Sequence, residues 1–359
     1  MDRRKFLKTA GLSTLAGGAA LTAAPAVHAA RKIKWKMVTA WPKNFPGLGT
    51  GASNLAKLIE DMSGGRMKVK VYGAGELVPA FEVFDAVSSG TAQMGHASAM
   101  YWKGKTEAAQ FFSGIPFGLT GQEMTSWLYH GGGLELWIEL YDQFNLVPAA
   151  AGNSGVQMAG WFNREINSLE DLKGLKMRIP GLGGEVIKRA GGSPVNIPGG
   201  EIFTSLKTGA IDATEWIGPY NDLAFGFHKA AKYYYYPGWH EPGTVLESMI
   251  NKKALAELPK DLRNIVQMAC RAANIDMFAE FTARNASSLE VIKNKHNVQI
   301  KRLPDDVLKK LKEYSEDVVA ELAEKDPMLK KVQNSYAKFR KQAMSWHDVS
   351  ERSYYNARS

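Results

Sequence analysis

A single cysteine, Cys270, occurs in 359 residues, so no disulfide can form within the chain. That excludes a small secreted domain held together by bridges. The seven histidines supply no HExxH or similar pairing, which leaves zinc and haem without a visible ligand set. After residue 30 no stretch approaches the ~20 apolar residues that a membrane helix needs. Basic residues are not interleaved with aromatics in the way that tracks a nucleic-acid backbone, so no nucleic-acid partner is expected. "GLGTG" and "GLGG" are rich in glycine but lack the spacing of a phosphate cradle, and no nucleophile elbow or dinucleotide loop is present.

What is there begins with the first thirty residues, "MDRRKFLKTAGLSTLAGGAALTAAPAVHAA". Paired arginines before Phe6-Leu7-Lys8, a weakly apolar run and the small-residue pattern "VHA" read as a signal peptide over 1–30 of the twin-arginine type. Its four basic groups and one acidic group carry three of the nine net positive charges, leaving +6 on the mature chain. The expected location is the periplasm. An excess of that size favours anionic partners only weakly.

The remaining length is long for one core and points to two domains. "KIKWKM" and "RMKVKVYG" alternate as half-buried strands, while "SNLAKLIEDMSGG" puts Leu55, Leu58, Ile59 and Met62 at helical spacing. Strands and helices take turns, which predicts α/β lobes with largely parallel sheets. An internal echo supports two lobes. "EVFDAVSSG" (82–90) and "EIFTSLKTG" (201–209) share E-[VI]-F-x-x-[VL]-x-x-G. The first follows "MKVKVYG" and the second "LKMRIPG", and each feeds a short strand. Cys270 sits in a helical pattern and is expected to be a buried structural thiol. The sequence "PDDVLKKLKEYSEDVVAELAEKD" predicts a long amphipathic helix that Pro327 interrupts.

Three charged residues could carry chemistry. In "DLKGLKMRIPG" the alternation sets Arg178 opposite Met177 near a strand end, where open α/β sheets bind ligands. A guanidinium there can hold a carboxylate in a bidentate grip. Glu215 ends a strand and Glu241 follows the aromatic run "YYYYPGW". Two carboxylates beside an anion site would repel the anion, and a hard cation resolves the conflict because carboxylate, amide and carbonyl oxygens suit it. Gln157, in the expected strand "SGVQMAGWF", could add its amide oxygen. On the residues alone, two unrelated surface glutamates, or a glycosidase pair made of Glu215 and Glu241, stay open as alternatives. Most of the rings read as core, and His96 as a histidine satisfied by neighbouring backbone.

The run from "DLKGLKMRIPG" through "GEIFTSLKTGAIDATEWIGPYND" to "YYYYPGWHEPG" resembles the solute-binding proteins of tripartite ATP-independent periplasmic (TRAP) transporters. More narrowly it is similar to the branch that binds 2-oxo acids and lactate. The resemblance covers nearly all of the mature chain. It implies a two-lobed periplasmic-binding-protein-like α/β fold, with a cleft between the lobes and a long C-terminal helix spanning them. On that pattern, residues 31–150 and 243–285 form one lobe, and 151–242 and 286–359 the other. It implies a binding protein that catalyses nothing and delivers its solute to membrane permease subunits. Arg178 would bind the substrate carboxylate. A Na⁺ or Ca²⁺ ion would bridge substrate and protein through Gln157, Glu215, the main-chain carbonyl of Trp216 and Glu241. Tyr101, Asn153 and Asn196 would be further ligand contacts. Arg178→Ala would then abolish binding and leave the fold intact. A larger acid, such as a dicarboxylate or sugar acid, fits the same pattern. The C-terminal aromatics Trp346, Tyr354 and Tyr355 would serve either a homodimer or the protein's own lobe.

Overall fold

A computed structural model describes residues 32–358; the signal peptide expected over 1–30 lies outside them. Eleven strands make two sheets: β1 (Ile33–Thr39), β2 (Met67–Tyr72), β3 (Met94–Ala97), β4 (Leu146–Asn153), β5 (Gly160–Phe162), β6 (Lys176–Arg178), β7 (Ser193–Val195), β8 (Ala213–Thr214), β9 (Tyr233–Tyr236), β10 (Val245–Asn251) and β11 (Gln299–Arg302). The first sheet has the order β2-β1-β3-β10-β4 and the second β11-β9-β5-β8-β6-β7. Each is the centre of one α/β lobe.

Each sheet is largely parallel, as expected, with one reversed strand: β10 in the first and β5 in the second. β1 runs parallel to β2 and β3, but β10 runs antiparallel to both β3 and β4. In the second sheet β5 is antiparallel to β8 and β9. The reason lies in the chain path. β10 is reached from β9 in the other sheet, so it needs no right-handed helical crossover, and local βαβ patterning could not reveal its direction.

The alternation read in "KIKWKM" is real: Trp35 and Met37 are buried, Lys34 is exposed. They pack with Ile59, Val266 and Cys270 on one side of the first sheet. Burial pushes the Cys270 thiol up to about 12, as suits an inert core residue. Helix Leu48–Met62 begins earlier than its apolar spacing suggested and leaves Met62 46% exposed at its last turn. The two echo segments are helices Val83–Ser88 and Gly199–Thr208, which bury Val83, Phe84 and Val87, and Ile202 and Leu206. Their closing glycines, Gly90 and Gly209, adopt φ of +83° and +76°, where only glycine is unstrained. The echo is imperfect. Helix Gly181–Arg189 and β7 stand between "LKMRIPG" and the second copy.

Helix Lys260–Lys295 is 36 residues long, about 54 Å, and runs unbroken through residue 285. It packs on β4 of the first sheet and on helix Pro219–Phe225, which follows β8. Asn285 accepts a hydrogen bond from the Tyr220 amide at 2.9 Å. Helix Asp305–Lys325 ends before Pro327, where Asp326 caps the next helix, Pro327–Val349, by accepting from the amides of Met328 and Leu329. Among the described residues no helix is long and apolar enough to cross a membrane.

Candidate functional site

β6 and β8 are parallel neighbours, and Arg178 stands opposite Thr214 in their register. Their carboxyl ends therefore deliver Arg178 and Glu215 to one edge of the second sheet. Two further segments join the sheets there. Residues 154–159 lead from β4 to β5 and carry Gln157; residues 237–244 lead from β9 to β10 and carry His240, Glu241 and Thr244. Gln157 is thus in a crossing segment and not in a strand, since β5 begins only at Gly160. The Gln157 amide donates to the Glu241 carbonyl at 3.3 Å, and Gly238 donates to the Gln157 carbonyl at 3.0 Å, so the two crossings are tied together.

These residues share one small cavity. It is lined by Gln157, Arg178, Glu215, Glu241 and Thr244 on the polar side, and by Trp41, Leu48, Met100, Tyr101, Trp216 and Leu246 on the other. The space within measures 20 Å³, little more than the ~10–15 Å³ that one water requires. Arg178 and Glu215 are each 1% exposed. One guanidinium nitrogen, Nη1, donates to both the carboxylate Oε1 of Glu215 and, at 3.2 Å, its main-chain carbonyl. The Arg178 plane also lies over the Trp216 ring, 5.1 Å from its centroid. The other Glu215 oxygen accepts from His240 Nε2 at 3.2 Å. Glu241 Oε2 accepts from Gln157 Nε2 at 2.7 Å and from Thr244 Oγ1 at 2.6 Å. Burial first, and then the charge of Glu215, hold Glu241 up at about 7.

Four buried polar side-chain atoms of these residues are left over, Trp216 Nε1 and His240 Nδ1 among them. Gln157 Oε1 and Arg178 Nη2 likewise have no hydrogen-bond partner, and a buried polar atom without one costs about 1–3 kcal/mol. No donor among the described residues reaches the Trp216 carbonyl either. An amide oxygen seeking positive charge, beside two carboxylates, is an oxygen-rich set of the kind that hard cations take. Ligand atoms of Glu215, His240 and Glu241 all lie within 4.8 Å of one another. The residues therefore fit a bridging cation, and Arg178 Nη2 fits an anion beside it.

Of the residues expected at the site, Tyr101, Gln157, Arg178, Glu215, Trp216 and Glu241 come together. Tyr101 reaches the cavity from the turn Ala99–Trp102 after β3, and burial raises its hydroxyl to about 12. Asn153 and Asn196 do not line the cavity. Asn153 is fully buried and serves the backbone, accepting from the Gly155 amide at 2.8 Å and donating to the Gly121 carbonyl at 3.5 Å. Asn196 is exposed beside β7, where its neighbour Ile197 offers a carbonyl to Arg178 Nε at 3.3 Å. His96, on β3, is satisfied by an indole as well as backbone. Trp41 Nε1 donates to its Nδ1 at 2.8 Å and Nε2 donates to the Ala151 carbonyl at 3.3 Å. Sequence reasoning missed His240 and Thr244, although both stand within three residues of Glu241. It also passed over Asp222, a buried acid raised to about 7 by its burial.

Gly238 sets a close approach that the site depends on. A Cβ there would lie 2.3 Å from the Gln157 carbonyl oxygen and 2.4 Å from its carbon. Backbone on both sides leaves no flexible group to yield. Gly238→Ala should cost about 1–3 kcal/mol of stability and displace Gln157, seen as a lowered melting temperature together with weaker cation dependence.

Comparison with known proteins bears on what this geometry serves. Residues 37–326 match the bacterial extracellular solute-binding proteins of family 7, DctP. The chain belongs to that family, a class of two-lobed binding proteins, and the reading of Glu215 and Glu241 as a hydrolytic pair falls with it. It is 42% identical over 360 residues to the monocarboxylate 2-oxoacid-binding periplasmic protein of Nostoc sp. PCC 7120, covering 99% of this chain and 98% of that one. A TRAP periplasmic solute-binding protein from Colwellia psychrerythraea, solved with calcium and pyruvate bound, superposes with a TM-score of 0.88 at 43% identity, covering 91% of this chain and 99% of that one. Another from Pseudoalteromonas atlantica, with sodium and pyruvate, has a TM-score of 0.88 at 42% identity, covering 90% and 99%.

Proposed function

We propose that this protein captures a small 2-oxo monocarboxylate such as pyruvate, or the related lactate, in the periplasm and hands it to the permease of a TRAP transporter. The observation that carries this reading is the convergence, in one buried cavity, of Arg178 with Gln157, Glu215 and Glu241, with Gln157 Oε1 and Arg178 Nη2 unpartnered. The relatives solved with pyruvate and a cation support it. Gln157, Glu215, Glu241 and the Trp216 carbonyl would hold the ion, and the ion supplies the positive charge that lets an acid sit beside two carboxylates. Arg178 grips the acid, and Tyr101 closes over it from the first lobe. The slit must widen to admit even pyruvate, and a ligand touching both walls then favours the closed form. The lobe boundaries proposed are 31–150 with 243–285 and 151–242 with 286–359. The crossings at 154–159 and 237–244 support the junctions near 150 and 243. The exposed Trp346, Tyr354 and Tyr355 support pairing of two copies, to be measured by sedimentation velocity.

Charge favours a monoanion over a larger diacid. Two carboxylates, one guanidinium, a divalent ion and one monocarboxylate cancel; a dicarboxylate leaves a net negative charge buried, which is costly. In a thermal-shift screen, pyruvate with Ca²⁺ should raise the melting temperature by several degrees, pyruvate with Na⁺ by less, and pyruvate in chelator with potassium as counter-ion by little. A dicarboxylate should give the smaller shift. No response to any short carboxylate under any of these conditions would end this reading.

A further inference from the structure

Asp222 is a buried acid outside the cavity, 1% exposed, and its four contacts follow one plan. Its Oδ2 accepts from Trp161 Nε1 at 3.0 Å and from the Tyr234 hydroxyl at 2.8 Å. Its Oδ1 accepts from the main-chain amides of Ile217 at 3.3 Å and Gly218 at 3.2 Å. Trp161 lies on β5 and Tyr234 on β9; the two rings stack with centroids 4.1 Å apart. One oxygen is thus anchored to the rigid middle of the second sheet, and the other holds the loop that leaves β8.

That loop carries Glu215 and Trp216. The described chain has one cis peptide, Tyr236–Pro237, so the peptide joining Trp216 to Ile217 is trans. In a trans peptide the N–H and C=O of the shared plane point in opposite directions. The Ile217 N–H aims at Asp222, which does not line the cavity, while Trp216 does. The Trp216 carbonyl is therefore turned away from Asp222, and no donor among the described residues occupies it. The next peptide is fixed as well, because the Ile217 carbonyl accepts from the Met158 amide at 2.9 Å, one residue from Gln157. Asp222 has no salt-bridge partner among the described residues, so a buried carboxylate is maintained entirely by neutral donors. Packing alone would be served as well by an apolar residue.

We propose that Asp222 is a positioning residue for the bridging cation. It fixes the Trp216–Ile217 peptide so that the Trp216 carbonyl faces the ion before the ion arrives. Pre-aimed oxygens need no reorganisation on binding, which is where a cation site gains affinity. The proposal rests on the cation reading given above and deepens it by naming what sets one ligand's direction.

The test is calorimetric titration of the mature protein with CaCl₂, at saturating potassium pyruvate, for the wild type, Asp222→Asn and Tyr234→Phe. An asparagine keeps the size but must turn an N–H₂ toward donors on one side. Ca²⁺ affinity should fall at least tenfold in Asp222→Asn, while pyruvate affinity at saturating Ca²⁺ stays within about threefold. Tyr234→Phe leaves both amide contacts in place, so it should lower the melting temperature and hold Ca²⁺ affinity within about twofold. A folded Asp222→Asn with Ca²⁺ affinity within twofold of wild type overturns the proposal, as does a Tyr234→Phe whose Ca²⁺ affinity falls as far as that of Asp222→Asn. If Asp222→Asn does not fold, Asp222→Glu decides: it keeps the charge but shifts the carboxylate, and unchanged Ca²⁺ affinity there also overturns the proposal. A wild type that binds pyruvate equally well without any cation refutes the cation reading itself, an outcome visible before any variant is made.

Discussion

In Arg178→Gln, pyruvate affinity is expected to fall between roughly thirtyfold and several thousandfold, the range that 2–5 kcal/mol spans when one partner of a buried charge pair is truncated. The fork of Arg178 is split between two tasks. Nη1 is committed to Glu215, and Nη2 is unpartnered. Removing the guanidinium would take away the anchor proposed for the ligand and leave Glu215 buried with only the His240 contact and whatever cation is bound. The stability of the ligand-free protein should therefore fall too, by about 3–5 kcal/mol. That cost stands against the expectation that Arg178→Ala would leave the fold intact. An arginine exposed at a strand end would behave that way, but this one is 1% exposed, paired, and stacked over Trp216. Glutamine is the better probe because it fills part of the space. A folded Arg178→Gln that binds pyruvate within threefold of wild type, by calorimetry, would remove Arg178 from the site.

Between pH 5 and 7.5 the cation-free protein should become less stable as pH rises. Three buried acids, Glu241, Asp222 and Glu247, are held up at about 7, in each case chiefly by burial. Glu247 lies on β10 and accepts from Trp102 Nε1 and from the Tyr141 hydroxyl, with no salt-bridge partner among the described residues. An unfolded carboxyl titrates near 4. With the folded value above the unfolded one, the folded protein holds more protons in the interval. The stabilisation is complete below about pH 4 and is lost as pH climbs through 7. For one such acid the full difference is about 3–4 kcal/mol.

A cation at Glu215 and Glu241 replaces the proton at Glu241 and leaves Asp222 and Glu247 as they are. Calcium should therefore raise the melting temperature more at pH 7.5 than at pH 5.5. In Glu241→Gln that pH-dependent gain should largely disappear. Melting curves across this range, with and without calcium, check both statements. A cation-free melting temperature that rises steadily from pH 5 to 7.5 would mean that burial does not raise these carboxyls above their unfolded range.

How much of this was legible beforehand divides along a physical line. Period-two alternation located β1, β2 and the Arg178 strand, and helical spacing located the echo helices, because those signals depend on which side of one element is wet. Arg178, Glu215 and Glu241 were singled out by type and position, an arginine at a strand end and glutamates flanking an aromatic run, while their reading as one ligand set came from the resemblance to TRAP binding proteins. Direction and partnership were not local. The antiparallel entry of β10 and the placement of Gln157 in a crossing segment arise from the chain passing between sheets. So does the turning of Asn153 toward the Gly121 and Gly155 backbone.

The sequence by itself determined the alternation of elements, the lone buried thiol and the donor types available to an acid and a hard cation. Only the tertiary structure decided that Arg178 is clamped to Glu215 and that Gln157 Oε1 is left unpartnered. Only it set Asp222 behind the Trp216 carbonyl. Hydrophobic periodicity reports burial one residue at a time, whereas a hydrogen bond is made by two atoms whose distance no single segment fixes.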